Sequence, residues 1–394
     1  MGSSQIPTPD NKPPTNRSLV DILPGSWEAT KQGECFVVRK LVPAEALHGQ
    51  ANLAGRPDMS FFEHLDEMQG ISRVPPENYL FIDTETTGLS GGAGTYVFLV
   101  GAAKYENEGL HFAQFFLQDP ASESAQLAAL ESFASSAKVV VSYNGKSFDL
   151  PRIKTRYRYH GWPDPFDDIY HLDLLHFARR IWKPFLASCT LGDLEDQILG
   201  LQREDLDIPG YQVAEHFFEY LHTKDPAPLE RVFYHNEVDV ISLVALLDRI
   251  SHRLSCPLDD QVKKDAELIS IGKYFFSLGL FQQAESVLTA GLYQPEVPDD
   301  IFLAGKLCLA AIHKKTGKFS IAAAIWQEAA EMGSIEALIE LAKHTEHNLA
   351  DFDSAIHWTL SAIDILKSCP FPKRAKLAQQ LDHRLQRLKQ KAKR

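Results

Sequence analysis

Apolar residues along this chain follow two different rhythms, and the change falls near Cys256. Upstream, short apolar runs alternate with helical spacings, which dictates an α/β layered domain rather than a bundle or a sandwich. Cys35-Phe36-Val37-Val38 reads as one strand within a stretch from 25 to 70 that is otherwise hard to assign. Tyr79-Leu80-Phe81-Ile82, Thr95 to Tyr105 and His111 to Gln118 read as three more. Asn107-Glu108-Gly109 turns between the last two, so an antiparallel meander is expected. A helix from Ser122 to Ser135, a strand from Lys138 to Ser142, a helix from Asp149 to His160 and a strand near Ile169 to Leu174 continue the alternation to about Ser251.

Beyond Cys256 the strand signals stop and a helical pattern repeats. Gly279-Leu280-Phe281-x-x-Ala284, Gly317-Lys318-Phe319-x-x-Ala322 and Ala350-Asp351-Phe352-x-x-Ala355 place aromatic residues 38 and 33 positions apart. That is close to the period of about 34 residues in helix-turn-helix solenoids, and small Ala side chains let paired helices approach. The pattern resembles tetratricopeptide repeats; an irregular helical bundle is the alternative. The expected organisation is a disordered leader over 1–24, an extension over 25–77 packing on an α/β domain over 78–255, an all-α repeat domain over 256–371, and a basic helix over 372–394.

Forty Lys and Arg against 52 Asp and Glu give a net charge of −12, which excludes a protein that coats nucleic acid by electrostatics alone. The charge is unevenly spread. From Pro372 to Arg394 there are nine Lys or Arg and one Asp, a local charge of +8, so the rest of the chain carries −20. Leu377, Leu381, Leu385 and Leu388 share one face of that last helix, as a capping element with solvated charges or as a basic arm for a phosphate backbone. Five scattered cysteines with no Cys-x-x-Cys pair point to a reducing compartment. No apolar run approaches the roughly 18 residues of a membrane span, so a cytoplasmic protein without a membrane partner is expected.

Chemistry concentrates at Phe81-Ile82-Asp83-Thr84-Glu85-Thr86-Thr87-Gly88. Strand side chains alternate, so Asp83 and Glu85 share a face about 7 Å apart. Two carboxylates at the end of an apolar strand repel each other unless cations sit between them, which is the physical case for Mg²⁺ or Mn²⁺; a solvated strand end followed by a turn is the alternative. Gly88 is free to adopt a conformation closed to other residues and bring the backbone near a ligand. A third acid, Asp149, follows Asn144-Gly145-Lys146-Ser147-Phe148 at a strand-to-helix transition, as a helix N-cap or facing the same cleft. A fourth, Asp239, lies about 80° from the centre of a helix's apolar stripe, on the side of His235. Glu237 falls off the opposite margin and reads as solvated.

Asp-x-Glu after a strand, Asn-x-x-x-Phe-Asp about 60 residues later and Asp on a late helix resemble the three motifs of the DEDD 3′-5′ exonuclease superfamily on a ribonuclease H-like mixed sheet flanked by helices. Asp83 to Gly92, continuing through Gly94-Thr95-Tyr96, and Asn144 to Asp149 are similar to YprB-like ribonuclease H-like proteins, which also carry helical repeats. The resemblance assigns Asp83, Glu85, Asp149 and Asp239 to two divalent ions for in-line phosphodiester hydrolysis. It makes Thr86, Gly88, Tyr143, Asn144, Lys146 and Phe148 candidate contacts for a nucleic-acid single strand or 3′ end. Members use a His five residues before the last Asp or a Tyr four before it as base; here Tyr234 and His235 are exchanged. His235 is the expected base, because it shares a helix side with Asp239, with Tyr234 the alternative.

The resulting expectation is a 3′-5′ exonuclease joined to repeats that bind a protein partner or guide substrate. The rivals are a catalytically silent scaffold and an endonuclease on the same fold. Arg152, Lys154, Arg156 and Arg158, interleaved with Tyr157 and Tyr159, and Arg179, Arg180 and Lys183 beside Trp182 are either strand-binding or solvated. Glu204, Asp205 and Asp207 read as an acidic surface loop, and Asp173 as a cap within the sheet's second half. His344 and His347 read as surface decoration of a repeat helix.

Overall fold

The computed structural model describes residues 17–53, 56–88, 94–106, 109–259, 265–293, 296–368 and 373–393. It divides into two compact units. Residues up to Ala178 with Ser188–Ser255 form the first, and Arg179–Ala187 with the chain from Cys256 form the second.

The first unit is built on a mixed seven-stranded sheet: β1 (Gly25–Thr30), β2 (Gly33–Pro43), β3 (Tyr79–Thr86), β4 (Val97–Glu106), β5 (Gly109–Phe116), β6 (Val139–Ser142) and β7 (Tyr170–Asp173). Their order is β1-β2-β5-β4-β3-β6-β7. The meander β3-β4-β5 is antiparallel, whereas β6 and β7 run parallel to β3. Residues 25–43, mostly unassigned from sequence, add the hairpin β1-β2 to the edge at β5. A helical turn at Leu19–Ile22 precedes it and buries Leu19.

Helices cover both faces. On one, α1 (Glu123–Ala134) and α2 (Asp149–Tyr159) pack Leu127, Leu130, Ile153 and Tyr157 over Leu80, Ile82 and Val140. After α3 (Leu174–Ile181), the other face receives α4 (Gly210–Thr223) and α5 (Leu229–Ser255), whose Phe217 and Phe233 meet Phe98 and Phe116. Burial from both sides explains why β3 starts as an uninterrupted apolar run, Tyr79 to Ile82, rather than alternating. Gly101 of β4 allows the closest approach of α5. A Cβ there would lie 2.2 Å from Asn236 Oδ1 and 2.8 Å from Val240.

The basic residues of α2 are mostly structural, which corrects the choice between strand-binding and solvated. Arg156 is buried in a two-point pair with Glu123 at 2.5 and 2.7 Å, Arg152 lies over the Phe148 ring, and Lys154 bridges Asp164 and Asp167. Arg158 alone among those four is exposed.

The second unit contains α6 (Asp265–Ser277), α7 (Phe281–Leu292), α8 (Asp299–Lys315), α9 (Phe319–Glu331), α10 (Ile335–His347), α11 (Phe352–Lys367) and α12 (Lys373–Lys391). The three repeated motifs occupy equivalent turns. Gly279, Gly317 and Ala350 all adopt positive φ, at 78°, 77° and 55°, and Ala284, Ala322 and Ala355 are completely buried one turn later. Trp182 is also enclosed within this unit and donates Nε1–H to Glu267 at 3.0 Å, while Arg180 lies over Tyr274. His344 is buried and stacks on Phe319, so it is not surface decoration.

Leu381 and Leu388 bury the apolar stripe of α12. Three of its charges are not merely solvated: Arg384, Arg387 and Lys391 converge on the buried Glu346 at 2.9, 2.7 and 2.9 Å, whereas Lys376, Lys389 and the following Lys393 are exposed. Among the described residues, Cys35, Cys189, Cys256 and Cys308 form no disulfide. No helix among the described residues is long and apolar enough to cross a membrane.

Candidate active site

The sheet opens where β3 ends. Burial along it falls from complete at Ile82 to partial at Asp83, Glu85, Thr86 and the following Gly88, so the carboxyl end of the strand forms the floor of a cleft. Parallel neighbours bring the end of β6 to the same edge, and with it the turn that starts α2. Thr84 faces the opposite side from Asp83 and Glu85. Its hydroxyl donates to Asp149 Oδ1 and draws this carboxylate around the strand end. Asp149 is the first residue of α2 and not its N-cap; Phe148 holds the cap position.

The turn that delivers Asp149 is held from behind. Asp173, at the end of β7, accepts backbone N–H groups from Asn144 at 2.8 Å, Lys146 at 3.1 Å and Leu175 at 3.2 Å. Asn144 takes positive φ, at 62°, which an Asn tolerates better than most residues. Tyr143 donates its hydroxyl to the Cys189 carbonyl at 2.5 Å, and Lys146 reaches Glu67 at 3.1 Å. These positions therefore build the turn, with Asn144 exposed at its tip.

Asp83 faces α5, where Asn236 donates Nδ2–H to its carboxylate at 3.0 Å. Gln114 in turn donates to Asn236 Oδ1 at 3.0 Å and orients the amide. Asp239 is one helical turn beyond Asn236 and enters the same cleft. Burial, followed by the charges of Asp239, Asp149 and Glu85, pushes Asp83 well above the usual carboxylate range. Burial pushes Glu85 up to about 8 and Asp149 up to about 6; it also raises Asp239. Four acids therefore sense one another in a site that disfavours their charged forms. Among the described residues, no three His, Cys, Asp or Glu side chains already close into a metal cage.

His235 lines the cluster, with Nε2 3.8 Å from Asp239 Oδ2 and Nδ1 2.7 Å from Asp207 Oδ1. Burial alone would lower its pKa, but Asp239, Glu85 and Asp207 together raise it. Tyr234 points elsewhere; its hydroxyl accepts the Glu204 N–H at 3.0 Å. Glu237 is ion-paired with Lys40 at 2.6 Å rather than simply solvated. Gly88 does not take the special conformation expected of it: its φ is not positive and a Cβ there would meet nothing within 4 Å. Thr86 donates to the Gly88 carbonyl at 3.0 Å, and residues 89–93 of the glycine-rich stretch lie outside the described residues.

Asn236 and Gln114 beside Asp83 escaped the sequence reading, and so did three residues around Asp239. Arg203 donates to Asp239 Oδ1 and grips Glu195 at 2.6 and 2.8 Å. Glu195 belongs to a π-helical turn, Glu195–Leu199, and is buried. Asp207 belongs to this network and not to an acidic surface loop, although Glu204 and Asp205 are exposed. No local spacing marks these residues; a π-turn is itself an indicator of function, but only coordinates reveal it.

Residues 80–251 match the family model described as RNase_H superfamily. The chain is 33% identical over 286 residues, 71% of its own length and 67% of the other's, to the Uncharacterized protein YprB of Bacillus subtilis (strain 168). The family B DNA polymerase from Pyrobaculum calidifontis overlaps with a TM-score of 0.35 and 18% identity, covering 59% of this chain and 29% of that one, a likeness too slight to build on. With its mixed sheet, two helical layers and nuclease-like fold, the chain belongs to the RNase_H superfamily as a YprB-like member.

Proposed function

We propose that the chain is a divalent-cation-dependent nuclease that removes nucleotides from the 3′ end of a nucleic-acid strand. The observation that carries this reading is the convergence of Asp83, Glu85, Asp149 and Asp239 on the end of β3, where burial first and mutual repulsion at Asp83 and Glu85 second oppose the charged forms that a bound cation would favour. All-oxygen donors suit hard ions, Mg²⁺ or Mn²⁺, so the residues present fit such a group in chemical type. Two ions shared among the four carboxylates would polarise the phosphate and make water more acidic.

The protein's own groups supply orientation and proton handling. Asn236 fixes the Asp83 carboxylate, and Thr84 fixes that of Asp149. His235 contacts Asp207 Oδ1 at 2.7 Å and Arg203 Nη1 at 3.1 Å through Nδ1 and presents Nε2 towards Asp239, where it can accept a proton from an attacking water. Asn144, at the exposed tip of its turn, is a contact for the strand, as are Thr86, Gly88 and Phe148 at the cleft rim. The helical second unit serves as the site for a protein partner or for longer substrate.

The test uses purified protein with Mn²⁺ on 3′- and 5′-labelled single strands, a duplex, a hybrid and a closed circle, beside Asp83→Ala. Stepwise shortening from the 3′ end that disappears in the variant supports the reading. Cutting of the circle makes the chain an endonuclease, and inactivity on every substrate makes it a binding scaffold. The base assignment requires His235→Ala to lose far more turnover than Tyr234→Phe.

A further inference from the structure

The cleft contains a cation of the chain's own. Arg203 reaches it from the segment between the π-turn and α4, and its position is set from underneath. Nε and Nη2 lie 2.6 and 2.8 Å from the two oxygens of Glu195, a fork-to-fork pair. Glu195 is almost completely buried and also accepts Ser242 Oγ–H at 2.6 Å, with Ser242 in contact with His48 Nε2 at 2.7 Å. On its outer edge Arg203 donates through Nη2 to Asp239 Oδ1, while Nη1 lies 3.1 Å from His235 Nδ1 and 3.4 Å from Asp207. Leaving Asp239 would be easy for a surface arginine. This one is anchored by a buried carboxylate that would lose its partner if the guanidinium swung away.

The consequence for the four acids is unequal. Asp83 is tied to Asn236 and Asp149 to Thr84, both neutral partners that leave the negative charge intact. Asp239 is tied to a fixed positive charge. A divalent ion drawing on Asp83, Glu85 and Asp149 shares no oxygen with Arg203. One that draws on Asp239 must share that carboxylate with the guanidinium and sit close to it.

We propose that Arg203, anchored on Glu195, is a positioning residue that holds Asp239 and weakens the divalent-cation position that uses it, so that the cluster fills one strong and one weak position. This rests on the cation-dependent reading above. Glu195, Ser242 and His48 then form the support that keeps Arg203 in place, which accounts for a buried polar chain behind the cleft.

The experiment is a calorimetric Mn²⁺ titration of the full chain, with electron paramagnetic resonance counting bound ions. Wild type is compared with Asp239→Asn, Arg203→Lys and the paired Arg203→Gln/Glu195→Gln variant, which replaces the ion pair with amides of similar size. Wild type should bind one ion tightly and a second weakly, and Asp239→Asn should lose only the second. The paired variant should tighten the second by about threefold or more, because the guanidinium in contact with Asp239 is lost while the Glu195 charge removed with it lies farther away and offsets only part of the gain. Arg203→Lys, which keeps the charge, should stay near wild type. Two equal ions in wild type, or no tightening in a folded paired variant, overturns the role of Arg203 while leaving the nuclease reading intact. No Mn²⁺ uptake by folded wild type overturns both.

Discussion

Each unit buries acids, and Glu346 in the second and the four acids at the end of β3 in the first are treated in opposite ways. In the second unit Glu346 has no exposed side-chain surface, yet Arg384, Arg387 and Lys391 surround it; burial opposes ionisation, the cations outweigh burial, and its pKa is lowered. In the first unit Asp83, Glu85, Asp149 and Asp239 crowd one strand end, and their pKa values are raised. A carboxylate matched by the chain's own cations is a structural lock between helices α10 and α12. A set left largely unmatched is held at a cost to folding, and under the proposed function a bound divalent cation would offset it.

The largest test of that contrast is Asp83→Asn. Activity in Mn²⁺ should fall on the order of 10³-fold, the scale of several kcal/mol of transition-state stabilisation, while the cation-free protein becomes more stable by about 1–3 kcal/mol as an acid whose ionisation the site opposes is replaced by a neutral amide. A matched loss of stability in thermal melts would place Asp83 among structural residues and break the comparison. Glu346→Gln should act in reverse, lowering the stability of the second unit by about 2 kcal/mol with activity retained; the partial exposure of Arg387 and Lys391 keeps this below the cost of a fully buried pair.

Acidity offers a milder test. Glu85 and Asp149, raised to about 8 and about 6, hold protons more tightly in the folded than in the unfolded chain. Their contribution is complete below their unfolded values near 4 and is lost as pH rises towards 8. Melting of the first unit in a chelator should therefore fall between pH 5 and 8, and Mn²⁺ should flatten the slope; a flat profile in chelator would mean the acids are not in conflict. The smallest effect concerns the second unit's turns. Ala350 adopts the positive φ that Gly279 and Gly317 occupy without strain, so Ala350→Gly should stabilise that unit by about 0.5 kcal/mol in denaturant melts.

Much of this contrast was legible residue by residue. Strand alternation put Asp83 and Glu85 on one face, a helical wheel put Asp239 beside His235, and the repeated Gly-x-Phe-x-x-Ala pattern located equivalent turns. These features have periods of two, 3.6 or about 34 residues, short enough to be read along the chain. Arg203, Glu195 and Asp207 follow no such period. They reach Asp239 and His235 from residues some 30 to 40 positions away, through a π-turn and an irregular segment. Arg156 and the basic face of α12 misled for the same reason, since a charge's partner across the fold leaves no local mark.

By itself the sequence determined the layered first unit, the helical second one and the identity of the four acids, because backbone periodicity and side-chain chemistry are local properties. Only the tertiary structure decided which charges are matched. It gave Glu346 three cations and gave Asp239 one. It left Asp83, Glu85 and Asp149 together at the end of β3 with their pKa values raised, because electrostatic energy depends on distances between residues that the order of the chain does not specify.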